Sequence, residues 1–338
     1  MNGGETIVQG ILIAFAIVVV LMPAFIRLLR RLGMGKRIRL EGPETHYVKE
    51  GTPTMGGLLI VIVVIGIGLV MEFGAGDFID SSTFAPMATL ALVGLLGTAD
   101  DWLNARTGDG ISVLQKLLWQ SVVGGVAAWQ IQDTYQITAL AVPFLANPIS
   151  VPPWLFILIA AFAIVATSNA VNITDGLDGL AGGTLIFAFV GYMVIAAVAF
   201  QPASQAIDPA DLPVLCALII GAILAFLWFN VHPAQIFMGD SGALALGATL
   251  AVTALITGQI LLLPLIGLVF VLETGSVILQ VASVRLRGKR LFLMSPLHHH
   301  FELKGWDEEK ITLRFWIIGA LAALVGVAFF LTTRGLLG

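Results

Sequence analysis

Ten apolar runs, at roughly 7–29, 55–71, 84–99, 113–131, 153–171, 180–200, 212–229, 241–257, 260–283 and 313–332, follow one another along a chain of 338 residues. A helix needs about 20 apolar residues to cross the hydrocarbon of a bilayer. Runs of that length, repeated with only short polar stretches between them, predict an all-α polytopic membrane protein with about ten transmembrane helices. Composition agrees: 58% of residues are hydrophobic and 11% charged, against about 25% charged in soluble domains. One integral membrane domain, 1–338, is expected. The first run, Ile7 to Leu28, is too long for the core of a cleavable signal and ends in Arg27, Arg30 and Arg31, so it is expected to stay. Cys216 is the only cysteine, which excludes an internal disulfide and a thiolate metal cluster.

Charge orients the spans, because cytoplasmic loops carry the Lys and Arg. The connections after odd-numbered runs hold sixteen of the seventeen basic residues: Arg27 to Lys49, then Arg106 and Lys116, then Arg285 to Arg314. The connections after even-numbered runs hold Glu72, Asp77, Asp80, Asp133, Asp208 and Asp211 and no Lys or Arg, and only Arg334 lies on that face. One span more or fewer would scramble this sorting, so both termini are expected outside the cytoplasm. The weakest division is near Gly258.

All dense polar clusters then fall on the cytoplasmic face. Asn172-Ile173-Thr174-Asp175-Gly176-Leu177-Asp178-Gly179 joins two spans. Two acids and an amide exceed what a turn requires, although a capped turn is the plain alternative. The first loop carries Gly42-Pro43-Glu44-Thr45-His46, then Lys49 and Thr54 before Gly56-Gly57. A Lys beside a Gly-rich helix start suits a phosphate, and a solvated connector explains the loop equally well. Asp100-Asp101 closes the third span, where mutual repulsion and the helix dipole make the pair costly without a cation. Lys116 returns to the same face. Asn230 ends the seventh span, and Phe237-Met238-Gly239-Asp240 opens the eighth. Asp240 stands at an N-cap position, but with two other acidic turns it also suits Mg²⁺, which takes one or two carboxylates plus phosphates and water. The absence of His and Cys there argues against Zn²⁺.

Residues 285–310 are expected to form a cytoplasmic loop, with Arg285, Arg287, Lys289 and Arg290 interleaved with Leu286, Leu291, Phe292 and Leu293 as a basic amphipathic segment on the membrane. His298, His299 and His300 follow. Consecutive side chains diverge, so they are a poor chelate and better suited to contacts with phosphate. Glu273 lies within the ninth run, where an acid is costly. It is expected to be neutral and bonded within the bundle, with Gln280 as a partner, and is left out of the site.

Pro53-Thr54-Met55-Gly56-Gly57, Asp100-Asp101, Asn172 to Gly179, Asn230 to Asp240 and Leu297-His298-His299-His300-Phe301-Glu302-Leu303-Lys304-Gly305-Trp306 together resemble the phospho-N-acetylmuramoyl-pentapeptide transferases. These belong to the polyprenyl-phosphate N-acetylhexosamine-1-phosphate transferase superfamily. The likeness runs in order from about Gly42 to Trp306, and the triple-His segment is the part specific to this branch. It implies a homodimeric, ten-helix enzyme of the bacterial inner (cytoplasmic) membrane, with periplasmic termini and a cytoplasmic active site. The enzyme would move phospho-MurNAc-pentapeptide from UDP-MurNAc-pentapeptide to undecaprenyl phosphate, giving lipid I and UMP. No nucleic acid is involved. By motif position Asp240 would hold Mg²⁺, and Asp100 and Asp101 would act at the lipid phosphate. Asn172, Asp175, Gly176, Leu177, Asp178, Asn230 and Phe237 would line the uridine and diphosphate pocket, with Phe237 on the uracil. Lys49, Thr54, Lys116, His298, His299 and His300 would complete the phosphate and sugar contacts, His298 among the catalytic groups. Relatives often carry a Lys three residues after the second Asp; this chain has Asn104, so that contact does not carry over.

Two anions must meet in such a reaction, so charge neutralisation is the main barrier to lower. A phosphate monoester is already mostly dianionic near neutral pH, which leaves Asp100 two roles: base or orienter in direct attack, or nucleophile forming an aspartyl-phosphoryl intermediate. The alternatives are the sister transfer from UDP-GlcNAc and, from another class, a secondary transporter, whose site would lie near the midplane.

Overall fold

A computed structural model describes residues 3–35, 49, 51–75, 78–80, 82–143, 147–199 and 211–333. The Gly42 to His46 motif, Asp77, Asp208 and Arg334 lie outside the described residues. Twelve helices are described: α1 (Gly3–Arg31), α2 (Gly56–Ala75), α3 (Phe84–Thr107), α4 (Val113–Tyr135), α5 (Pro153–Thr174), α6 (Leu180–Ala199), α7 (Leu212–Asn230), α8 (Asp240–Ile256), α9 (Leu263–Ile266), α10 (Leu268–Arg287), α11 (Leu297–Glu302) and α12 (Glu308–Thr333). The strands among the described residues are one two-residue antiparallel pair, Ala139–Leu140 against Ile149–Ser150, between α4 and α5.

Each apolar run falls on helix, as all-round hydrophobicity dictates where backbone polar groups must be satisfied internally. Seven helices, α1, α2, α5, α6, α7, α10 and α12, are long and apolar enough to cross a membrane. The protein is therefore an all-α polytopic membrane protein. Helix α8 has 17 residues and sits at the centre, with every residue from Ser241 to Ile256 buried. Its hydroxyls bond within the helix, Thr249 to Ala245 O and Thr253 to Thr249 O. Outward faces stay apolar, with Val20, Phe162 and Leu324 exposed.

Three boundaries differ from the sequence reading. The ninth run does not start as a long helix: Gly258 at φ 69° ends the preceding segment, Ile260–Leu262 forms a 3-10 turn, and α9 lasts four residues. Pro264, which has no N–H, sits in that short helix, and α10 begins only at Leu268. Asp100 and Asp101 do not close α3, which continues to Thr107 and ends on Gly108 at φ 85°. The pair thus lies inside the helix, away from its unsatisfied terminal carbonyls. Beyond Gly288 at φ 64°, which ends α10, residues 289–296 form bends and no helix.

Helices α3 and α8 run antiparallel in close contact. A Cβ on Gly97 would stand 2.2 Å from Asp240 O and 2.5 Å from Ser241 N. This glycine sets the spacing between Asp100 and Asp240. Gly97→Ala is expected to cost about 1–3 kcal/mol of stability by overpacking and to lower activity. Gly66→Ala, with nothing within 4 Å of the added carbon, is expected to change neither; thermal melting and product formation in detergent read both.

Candidate active site

Nine helix ends meet at one end of the bundle: the C-termini of α1, α3, α5 and α7 and the N-termini of α2, α4, α6, α8 and α12. Hydrogen bonds between them assemble three linked clusters.

The first is built on α3, α4, α5 and α8. Ser112 and Gln115 form a capping box that starts α4 directly after the α3 turn. That start puts Lys116 one turn into the helix and opposite Asp100. The Lys116 ammonium lies 2.7 Å from Asp100 Oδ2 and 2.7 Å from Asp240 Oδ2. Asn172 Nδ2 donates to Asp240 Oδ1 at 2.8 Å, and Ile111 N donates to Asp100 Oδ1 at 2.5 Å. Burial alone would raise the Asp240 pKa, but Lys116 and Asn172 outweigh it and hold the carboxyl below the usual range. For Asp100 burial wins over Lys116, and the pKa is raised.

Asp101 has a different task. Its two oxygens accept from Asp240 N at 3.1 Å and Ser241 N at 3.0 Å. It therefore caps α8 from a neighbouring helix, satisfying two otherwise orphaned N–H groups. The residue at the N-cap itself is Gly239, at φ 74°, where a Cβ would meet Asp101 Oδ2 at 2.4 Å and Thr54 Oγ1 at 2.8 Å. Asp240 is thus the first helical residue and no N-cap. Burial, with the Asp240 charge adding to it, pushes the Asp101 carboxyl up to about 7 against the pull of the two N–H bonds.

The second cluster surrounds Asp178. Lys49 Nζ lies 2.8 Å from Asp178 Oδ1 and 2.6 Å from Glu308 Oε1. Asp178 Oδ2 also meets His232 Nδ1 at 3.0 Å and accepts from Ala234 N at 3.1 Å, while Asp178 N donates to Glu308 Oε1 at 2.6 Å. Burial would lower the Lys49 pKa; Glu308 and Asp178 more than reverse that. Asn230 ties this cluster to the loop before α8, accepting from Gly179 N and donating to Ile236 O. Half-buried Phe237 is fixed through its backbone, to Pro53 O and from Gly56 N.

The third cluster lies under the Asp175-Gly176-Leu177 turn. Leu177 is buried with Leu180, Val269, Ile311 and Phe315. His298 is 1% exposed and bonds Glu273 through Nδ1 at 3.0 Å. Glu273 thus has His298 for a partner where the sequence suggested Gln280, whose amide instead holds Leu291 N and Phe292 N. His299 bonds Glu302 at 2.5 Å, and His300 Nδ1 accepts from Leu293 N.

The profile described as "Glycosyl transferase family 4" matches residues 83–258, and the phospho-N-acetylmuramoyl-pentapeptide-transferase signature 1 matches residues 49–61. A phospho-N-acetylmuramoyl-pentapeptide-transferase of Sorangium cellulosum is 44% identical over 346 residues, covering 95% of this chain and 91% of its own length. Another from Geobacillus sp. strain WCH70 is 41% identical over 325 residues, covering 96% and 97%. The chain belongs to the phospho-N-acetylmuramoyl-pentapeptide-transferase family. It is an enzyme that transfers phospho-MurNAc-pentapeptide in peptidoglycan synthesis. The transporter and the sister GlcNAc-1-phosphate transfer fall away as alternatives.

In this transferase the sequence singled out Lys49, Lys116, Asn172, Asp178, Asn230 and Asp240 but missed what binds several of them. Glu308 and His232 were not found. An acid in the first turn of a helix reads as a dipole complement, which hid Glu308; His232 stands two residues after Asn230, and that was its only signal. Asp178, His232 and Glu308 offer ligand atoms within 4.8 Å of one another, although the Lys49 ammonium already bonds both acids there. Glu308→Ala leaves Lys49 and Asp178 N without that acceptor and is expected to cost about 1.5–3 kcal/mol, read as a lower melting temperature, whereas Glu309→Ala, 54% exposed, is expected to leave it unchanged.

Proposed function

We propose that the Asp100, Lys116, Asn172 and Asp240 cluster is where the nucleotide diphosphate meets the phosphate of undecaprenyl phosphate. The observation that carries this reading is the Lys116 ammonium bonded to both Asp100 and Asp240. Three helices converge on a point where positive charge between carboxylates is already favoured. The donors there are all oxygen, from Asp240, Asp100 and the Asn172 amide, a set suited to Mg²⁺ and unsuited to softer metals. The Asp178 trio fits Mg²⁺ less well, because His232 would bring an imidazole nitrogen to it, a ligand suited to softer metals than Mg²⁺. Bound at Asp240, Mg²⁺ would offset the charge of the diphosphate.

The chain's own residues do the rest in this reading. Lys116 brings positive charge to the facing anions, and Asp100 orients the incoming lipid phosphate or takes its proton. Asp101 positions Asp240 through the α8 cap, beside the place where the lipid phosphate would arrive. The Asn172 to Gly179 turn, Phe237, Thr54 and Lys49 line the nucleotide side, while His299 and His300 face the sugar-peptide. UDP-MurNAc-pentapeptide as donor, and lipid I and UMP as products, belong to this reading. So do ten spans with periplasmic termini in the inner membrane, a homodimer, and 1–338 as one domain with 285–310 as its cytoplasmic loop. Supporting it are the sorting of basic residues and the single end at which the polar clusters meet.

Transfer of radiolabelled UDP-MurNAc-pentapeptide to undecaprenyl phosphate tests the proposal. Asp240→Ala is expected to abolish lipid I formation, and chelation of Mg²⁺ to do so reversibly; full activity of Asp240→Ala in Mg²⁺ contradicts it. Labelled UMP is expected not to exchange into the donor without lipid phosphate, since direct attack is favoured. Such exchange would establish the covalent aspartyl route instead.

A further inference from the structure

Glu273 is 0% exposed, deep in α10. A carboxyl there is costly unless partnered, and its single ion-pair partner among the described residues is His298. One oxygen, Oε2, meets both His298 Nδ1 at 3.0 Å and His298 N at 3.4 Å. For Nδ1 to donate it must carry a proton, so the carboxylate selects the tautomer and turns the Nε2 edge outward from α10. That edge lies against the substrate turn, where a Cβ on Gly176 would stand 2.3 Å from His298 Nε2.

Stability is a poor explanation for the pair. Glu273 Oε1 and His298 Nε2 are both buried without a hydrogen-bond partner, and buried pairs of this kind are often no more stable than apolar replacements. Position is the better one. The turn is held at Asp178 by Lys49, His232 and Ala234 N, at Leu177 by the apolar cluster shared with Val269 of α10, and at Gly176 by the His298 ring.

We propose that Glu273 is a positioning residue for nucleotide binding, which acts by locking His298 as a strut beneath Gly176. This rests on the reading that the Asn172 to Gly179 turn lines the nucleotide pocket. Glu273 touches no substrate. It fixes the height of the turn, so its loss is felt in affinity for the nucleotide donor and not in the reacting phosphates around Asp240.

Steady-state kinetics of the full-length enzyme in nanodiscs tests this. Glu273→Gln keeps the shape and removes the charge. It is expected to raise the KM for UDP-MurNAc-pentapeptide about 10-fold while kcat and the KM for undecaprenyl phosphate stay within about 3-fold. In a His298→Gln background the same substitution is expected to add less than about 2-fold, because both changes remove one strut. A fall in kcat and melting temperature with the nucleotide KM unchanged would mean a merely structural pair. Multiplying effects would mean that Glu273 does not act through His298. Asp175→Asn separates the two layers: an unchanged nucleotide KM there overturns the reading of the turn, whereas a raised one beside an unaffected Glu273→Gln overturns only the strut. Should Glu273→Gln not fold, ¹⁵N-histidine spectra of the wild-type enzyme decide, with a protonated Nδ1 at His298 supporting the proposal and an Nε2–H tautomer overturning it.

Discussion

Three carboxylates and one ammonium share the space where α3, α4 and α8 meet, and the remainder of this end of the molecule holds that charge in place. Asp101 uses both oxygens to cap α8, which fixes the first residue of that helix, and the first residue is Asp240. Lys116 then lies between Asp240 and Asp100. Adjacent acids that would repel one another in isolation have been given separate work, one on backbone N–H groups and the other on the ammonium. The arrangement depends on backbones that approach closely, with Gly97 and Gly239 leaving no room for a side chain where α3 faces α8.

The same logic extends outward. A transferase that joins two anions needs positive charge that is present before the substrates arrive and is not neutralised permanently. Lys49 and Lys116 both meet this condition, each shared between two acids from distant parts of the chain. Around them the Asn172 to Gly179 turn acts as the common wall. Its first residue reaches Asp240, its last two reach Lys49, His232 and Asn230, and its middle rests on His298. A displacement at any of these supports would be felt at the others, because the turn is short and its backbone is bonded on both sides.

Much of this was legible in the sequence because membranes impose simple rules. Apolar runs of span length must be helices, and clusters of acids and amides at their ends stand out against 11% charged residues. Asp100, Lys116, Asn172 and Asp240 were visible for that reason, and the sorting of basic residues put them at one end. What was not legible was pairing. Nothing local distinguishes Glu308 from an ordinary first-turn acid, or assigns Glu273 to His298 across 25 residues in preference to Gln280 two turns away. The capping role of Asp101 was hidden because the helix it caps comes 139 residues later. The breaks near Gly258 and Pro264 were blurred because apolar composition continues through them, and the extension of α3 past Asp101 was hidden by the drop in hydropathy that marked the end of the run.

The central claim is that Asp240, and not the acids around Lys49, receives the divalent cation. Anomalous diffraction from crystals of the enzyme grown with Mn²⁺ and UMP tests it most directly. The account predicts a peak at coordination distance, about 2.0–2.2 Å, from the Asp240 carboxylate. A peak among Asp178, His232 and Glu308 with none at Asp240 would contradict it.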